Sequence, residues 1–297
     1  MKSNLKKTLC FAFSSLLLLS ACSQSSTQIK DADEVLFTVG DQSFTRGEEY
    51  DLLKKYSGSS NTILLATNAV LDAEIGRGKK IQEEANKLYE ESDEKGEEGN
   101  KDDYIENIII PMIQQEKLMD QYFKDQKKEI KKEYKPTIAK VLMCDNKDDA
   151  KNALKALQEG TDAQTVWDQY SSEDSKFKNE EIVVSTCLED SLPDYVINSL
   201  YSAKEEGVID EVMTDEDESS GAYYVGVLIS KDYDKNIDKI KTDLVSNSNQ
   251  EISNNCLIYY LQKHGFEIHD QEIFDALRVS DPEYLVNHPE LTEEEDQ

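Results

Sequence analysis

The sequence predicts an α+β protein, on three observations. Between residues 137 and 230, short β-rich runs alternate with amphipathic helical stretches in the order β, α, α, β, α, β, β. That is too many short elements for a helical bundle and too few strands for a sandwich. On both sides of this block apolar residues recur at helical spacing, so helical segments flank it. Hydrophobic residues make up 38% of the chain and charged ones 32%, a soluble, charge-rich composition long enough for two modest domains.

The N-terminus reads as a leader. Lys2, Lys6 and Lys7 precede an apolar run from Leu9 to Leu19, and no acidic residue occurs before Asp31. The run is well short of the roughly 20 residues that span hydrocarbon. A basic start, a short apolar middle and a small-residue end form a secretory signal. Leu19-Ser20-Ala21-Cys22 matches the bacterial lipobox, with cleavage after Ala21 and a diacylglyceryl thioether on Cys22. Two acyl chains anchor stably where one does not. The plainer alternative is an ordinary cleaved signal with an incidental cysteine. Residues 1–21 are therefore read as signal peptide and 22–34 as a lipidated, solvated tether. This puts the mature chain at the outer face of the cytoplasmic membrane.

Net charge is −29. Removal of Lys2, Lys6 and Lys7 with the signal takes −29 to −32. Such a charge argues against nucleic acid and against anionic lipid as partners. It fits a merely solvated acidic surface, or one that meets cationic or unfolded chains and loosely held cations. His264, His269 and His288 all lie near the C-terminus and none has the i, i+4 spacing of a helical zinc site, so neither metal nor cofactor is expected. Cys144, Cys187 and Cys256 form no CxxC. They read as buried free thiols, with a Cys144–Cys187 disulfide as the alternative.

The elements follow in order. "VLFTVGDQSFT" (35–45) places two β-rich pieces around Gly40-Asp41, a hairpin signal. Thr45 and Glu48 have capping-box spacing, and a helix follows until "SGSSN" (57–61) breaks it. Ile63, Leu64, Ala66, Val70, Leu71 and Ile75 then recur at helical spacing, and Lys79–Tyr89 continues as a charged helix. Residues 90–103 are a Gly- and charge-rich loop. Residues 104–134 form one long helix, which Pro111 starts or kinks, and whose end "KDQKKEIKKEY" is a solvated face. Lys135-Pro136 marks a boundary.

In the mixed block, strands are predicted at 137–143, 181–187, "GVIDEVM" and "AYYVGVLI". Helices are predicted at "DDAKNALKALQEG", closed by Gly160, at "DAQTVWDQYS", and at "LPDYVINSLYSA" with Pro193 in its first turn. Beyond it, "NIDKIKTDLVSNSNQEISNNCLIYYLQKHG" reads as one helix stopped by Gly265. "FEIHD" reads as a strand and "QEIFDAL" as a helix, before a disordered acidic tail.

The segment from Thr137 to Ile182 resembles a parvulin domain. Ala150, Leu154, Leu157, Gly160, Val166, Tyr170, Ser171 and Asp174 fall on that family's "A…L…G.DF..LA..YS.D" frame. With a lipobox in front, a hairpin and helices before the block and a helical return after it, the whole mature chain resembles PrsA-type foldase lipoproteins of Gram-positive bacteria, streptococcal-type members included. The flanking helices also resemble the chaperone module of SurA. The resemblance implies a helical chaperone lobe built from 35–135 and 233–279, an inserted parvulin-like domain at 136–232, and a tail at 280–297. The partners it implies are unfolded secreted proteins, with a homodimer as an option.

The chain departs from the family where activity would sit. Active parvulins carry Ser-His on the first strand and a second His on the last. Here the corresponding positions are Ala139-Lys140 and Tyr223-Tyr224, and the Gly-Gly-Asp turn has become Asn179-Glu180-Glu181. Lys140, Glu181 and Tyr224 thus stand at the degenerate site. Isomerising an X-Pro bond moves no proton, because the barrier is the resonance of the amide. Catalysis comes from binding the twisted amide more tightly than the planar one. Lys140 and Tyr224 can offer hydrogen bonds but do not replace two histidines, so the resemblance implies weak or lost peptidyl-prolyl isomerase activity on a retained scaffold. Ile105, Ile109, Met112, Met119, Tyr122 and Phe123 form a stripe that reads either as helix-bundle core or as a lining for extended clients, since Met and aromatic side chains adapt to many partners. A non-enzymatic surface lipoprotein that holds one wall or secretion partner would share these features.

Overall fold

The computed structural model describes residues 29–92, 101–188, 190–215 and 221–291. In chain order its elements are β1 (Val35–Val39), β2 (Gln42–Thr45), α1 (Arg46–Glu74), α2 (Lys79–Glu91), α3 (Lys101–Tyr104), a π-helical turn (Ile105–Ile109), α4 (Ile110–Asp125), α5 (Lys127–Glu133), β3 (Thr137–Cys144), α6 (Lys147–Gln158), α7 (Ala163–Tyr170), β4 (Ile182–Val184), α8 (Asp194–Ser202), β5 (Gly207–Val208), β6 (Tyr223–Ser230), α9 (Ile237–Asn247), α10 (Glu251–Lys263) and α11 (Gln271–Ser280). The class is α+β. The leader, with Ala21 and Cys22, lies outside the described residues. The described residues form two compact units: one holds those up to Thr67 together with those from Leu261 onward, the other those within Asn68–Tyr260.

In the first unit, β1 and β2 form the expected hairpin, with Val39 opposite Gln42 and Gly40 at φ +59° in the turn. Phe37 stacks on Phe44 with ring centroids 4.8 Å apart. The capping box forms as read: the Thr45 amide donates to Glu48 Oε2 at 2.8 Å and the Glu48 amide donates to Thr45 Oγ1 at 3.3 Å. The helix does not break at "SGSSN"; α1 runs through it to Glu74. Tertiary packing overrides the poor propensity of those residues. A Cβ on Gly58 would lie 3.4 Å from Ile273 Cγ1, so the small side chain admits α11. One turn earlier, Lys54 Nζ bridges Asp270 Oδ2 and Glu272 Oε2, both at 2.8 Å. Asp270 also caps α11, accepting from the amides of Glu272 and Ile273. "FEIHD" is not a strand. Gly265 at φ +65° stops α10, the Phe266 amide donates to Leu261 O at 2.9 Å, and the segment leads directly into the Asp270 cap.

In the second unit, a four-stranded antiparallel sheet has the order β4-β3-β6-β5. Strand residues alternate between faces. One face presents Ala139, Val141, Tyr224 and Leu228 to Val196, Ile197 and Leu200 of α8. The other presents Leu142, Cys144 and Val225 to α6 and α7, where Ala150, Ala153, Leu157, Val166 and Trp167 pack. Gly226 has no room for a side chain: a Cβ there would meet Leu200 Cδ2 at 2.9 Å and Met213 Cε at 3.0 Å. Gly160, at φ +84°, closes α6 as read.

Several expected elements are shorter or divided. The third strand shrinks to Gly207–Val208 plus a bridge between Met213 and Tyr224, and β4 to three residues. The long helix at 104–134 is interrupted. Pro111 lacks an N–H and its ring would crowd the carbonyl of Asn107, and the wider π turn before it absorbs the mismatch, with the Ile110 amide reaching back to Ile105 O. The helix read over 236–265 is two, parted where Asn249 and Gln250 adopt φ of +47° and +72°. The described residues hold no disulfide. Burial pushes the Cys144 and Cys256 thiols up to about 12.

Candidate functional site

The candidate site is the centre of the β3–β6 sheet, where the sequence places Lys140 and Tyr224. In register, Lys140 opposes Val227 and Tyr224 opposes Met143. Alternation therefore puts Lys140 on the face of Leu142, toward α7, and Tyr224 on the opposite face, with Ala139 and Val141. The structure does not bring these two side chains together, which corrects their pairing as one site. The tyrosine that shares the face of Lys140 is Tyr223, opposite Cys144.

Lys140 is half-buried and bound into a polar chain. Its Nζ donates to Asn179 Oδ1 at 2.8 Å. Asn179 Nδ2 donates to Gln164 Oε1 at 3.1 Å, and Gln164 Nε2 donates to Asp168 Oδ1 at 2.7 Å. Every donor in this series points the same way, from an ammonium to a carboxylate, so each bond polarises the next. Gln164 and Asp168 meet because they lie one turn apart on α7. Asn179 reaches them from the loop before β4. This network was not legible in the sequence except for the i, i+4 pair, because Asn179 is joined to Lys140 only by the fold.

Tyr224 is a core residue, 5% exposed, and its ring meets Tyr195 edge-on at 6.2 Å. Burial holds its hydroxyl above the ordinary tyrosine range. Glu181 is exposed and directed elsewhere: Lys239 of α9 pairs with its carboxylate at 3.8 Å and donates to its carbonyl at 2.9 Å. Lys140, Glu181 and Tyr224 therefore do not converge. No histidine occurs between Asn68 and Tyr260, so this unit has no side chain that titrates near neutrality in its unperturbed state. What the Lys140 face holds is this hydrogen-bonded chain, running from Lys140 through Asn179 and Gln164 to Asp168.

The stripe proposed to line a client cradle is mostly core. Ile105, Ile109, Tyr122 and Phe123 are buried, at 4%, 7%, 8% and 0% exposure, and Met119 is half-buried. Helical periodicity marks the face that packs, and here that face meets α2, through Ile81 and Ala85, and Tyr259 of α10. Met112 alone of the six stands out, at 61% exposure. The surface missed by periodicity lies in the first unit: Val35, Phe37 and Val39 on β1, and Leu53, Tyr56 and Leu65 on α1, are 51–74% exposed. The signal for it was present as adjacent pairs, Leu52-Leu53 and Leu64-Leu65, which are too wide for one buried stripe.

No family model and no curated protein matches the chain. Solved structures do resemble it. They include foldase protein PrsA from Streptococcus pneumoniae, at 18% identity over 82% of this chain and 97% of that one, with a TM-score of 0.34. The peptidylprolyl isomerase PrsA from Bacillus cereus is similar at 16% identity over 85% of this chain and 100% of that one, TM-score 0.48. PrsA from Bacillus subtilis is similar at 17% identity over 84% and 100%, TM-score 0.36.

Proposed function

We propose that this chain is an extracytoplasmic folding factor, anchored to the outer face of the cytoplasmic membrane through lipid on Cys22, that holds unfolded secreted proteins as they leave the export channel. The observation that carries this reading is the apolar surface left in solvent on β1 and α1. Val35, Phe37 and Val39 alternate onto one side of β1, Leu52, Leu53 and Tyr56 lie close together along α1, and unfolded chains are the partners that offer extended apolar segments of any sequence. The strand order β4-β3-β6-β5 around α6, α7 and α8 supports a parvulin-like scaffold for the second unit. Peptidyl-prolyl isomerase activity on it is weak or lost, because Lys140 and Tyr224 occupy opposite faces and the unit's own sequence carries no histidine. Among the described residues no helix is long and apolar enough to cross a membrane.

The test pairs two assays on residues 23–297: isomerisation of a short X-Pro peptide, and aggregation of an unfolded client. The expected result is suppressed aggregation with isomerisation at the uncatalysed rate. Clear catalysis would restore the enzyme reading. Failure in both assays would favour a dedicated wall or secretion partner. Light scattering in the same buffer reports whether the apolar surface also pairs two copies of the chain.

A further inference from the structure

The chain carries 62 acidic against 33 basic side chains, yet α5 reads KKEIKKE. Lys127, Lys128, Lys131 and Lys132 line one open cup of 650 Å³ together with Asp125 and Tyr201. The cup is built, because the Tyr201 hydroxyl of α8 donates to the Lys131 carbonyl at 2.9 Å and fixes one wall. Behind that wall stands a fifth amine. Lys231 Nζ lies 5.4 Å from the Tyr201 ring centroid and donates to the carbonyls of Tyr201 and Ala203, the latter at 2.8 Å.

The amines are poorly neutralised. Lys127 pairs with Asp234 at 2.6 Å, and Lys132 approaches Glu129 only at 4.0 Å. Among the described residues, Lys128, Lys131 and Lys231 have no carboxylate within ion-pair distance, in a chain where acidic side chains outnumber basic ones almost two to one. Burial, and then the nearby charge of Lys131, hold the Lys231 ammonium below its ordinary value.

We propose that the α5–Tyr201 cup is a binding site for a phosphate-class oxyanion. Ammonium groups are compact point charges with rotatable donors, so several lysines lining one open cup suit a tetrahedral, multiply charged oxyanion better than the planar fork geometry that arginine supplies. A single carboxylate is a weaker competitor, and the chain's own abundant carboxylates leave Lys128 and Lys131 unanswered. Inorganic phosphates and the phosphodiester of a lipid headgroup share this chemistry.

Calorimetric titration of the full chain at low ionic strength tests the site, with inorganic pyrophosphate, monomeric dihexanoyl phosphatidylglycerol and hexaglutamate as probes. At least one phosphate probe is expected to bind, with affinity falling as salt screens the charges. Binding should weaken by about tenfold or more in Lys128→Gln/Lys131→Gln and survive in Lys128→Arg/Lys131→Arg. Pyrophosphate binding alone assigns a free phosphate, and lipid binding alone assigns a headgroup. No binding of either up to about 10 mM, equal binding by the Gln variant, or tighter binding of hexaglutamate overturns the proposal. The arginine variant, with matched circular dichroism melts, separates loss of charge from loss of fold. None of these outcomes depends on chaperone activity.

Discussion

Lys54 is the residue on which the first unit turns. Its side chain is 4% exposed and faces Asp270, itself 10% exposed, across 2.8 Å. Burial alone would lower its ammonium, but the hydrogen bonds it donates to Asp270 and Glu272, with their negative charge, outweigh that and hold it above the ordinary lysine value. Lys54→Met removes the buried ammonium that pairs with Asp270 and is expected to cost about 1–3 kcal/mol. Asp270→Asn keeps a capping oxygen for α11 and should cost less; urea unfolding of the two variants gives the order. In the second unit Asp72 makes a pH-dependent contribution. A hydrogen bond from Gln114 and then one from Arg77 hold its carboxyl below 3.8. A carboxyl depressed in the folded state contributes stability that is full above the ordinary value and is lost as pH falls through the folded one. The melting difference between the parent and Asp72→Asn should therefore be constant from about pH 7 to 5 and shrink below about pH 4. Neither Lys54 nor Asp72 stood out in the sequence, because each gains its importance from a partner that only the fold supplies.

At the scale of elements, two glycines report on packing in opposite ways. Gly58 sits mid-helix in α1, with room for one carbon before Ile273. Gly58→Ala should stabilise the first unit by up to about 1 kcal/mol through helix propensity, whereas Gly58→Leu should displace α11 and lower the melting temperature. Gly226 in β6 has no such room. The ends of Leu200 and Met213 can shift for an alanine, but Gly226→Val should cost about 1–3 kcal/mol by overpacking, read as a lower urea midpoint. What was legible in the sequence follows the same logic of locality. The capping box at Thr45, the stop at Gly265, the turn at Gly40 and the order of strands and helices from 137 to 230 are local patterns, and they form as read. "SGSSN" was misread because its small residues serve contact with α11 rather than a break. "FEIHD" was misread because alternation alone cannot say that no strand is available beside it. At the candidate site, Lys140 was locatable but its face was not. Opposite faces follow from the β3–β6 register, and a slip of one residue exchanges them.

For the whole molecule, the proposed function requires two things at once: attachment, and a surface that accepts unfolded chains. Attachment raises the local concentration of that surface where clients emerge, so it adds to holding without adding a contact. Cys22→Ala should move the protein from the membrane fraction to the medium while leaving its purified activity unchanged; full retention at the membrane would remove the lipid from the account. The surface is tested separately. Leu52, Tyr56 and Leu65 are 56%, 74% and 69% exposed, so changing all three to Gln should shift stability by no more than about 0.5 kcal/mol each. If β1 and α1 hold clients, the triple variant should need several times more protein to suppress the same aggregation, with an unchanged melting curve. If suppression is untouched, Met112 and Ile108, 61% and 46% exposed in the second unit, become the surface to change next, and the client site moves from the hairpin unit to the unit that carries the sheet.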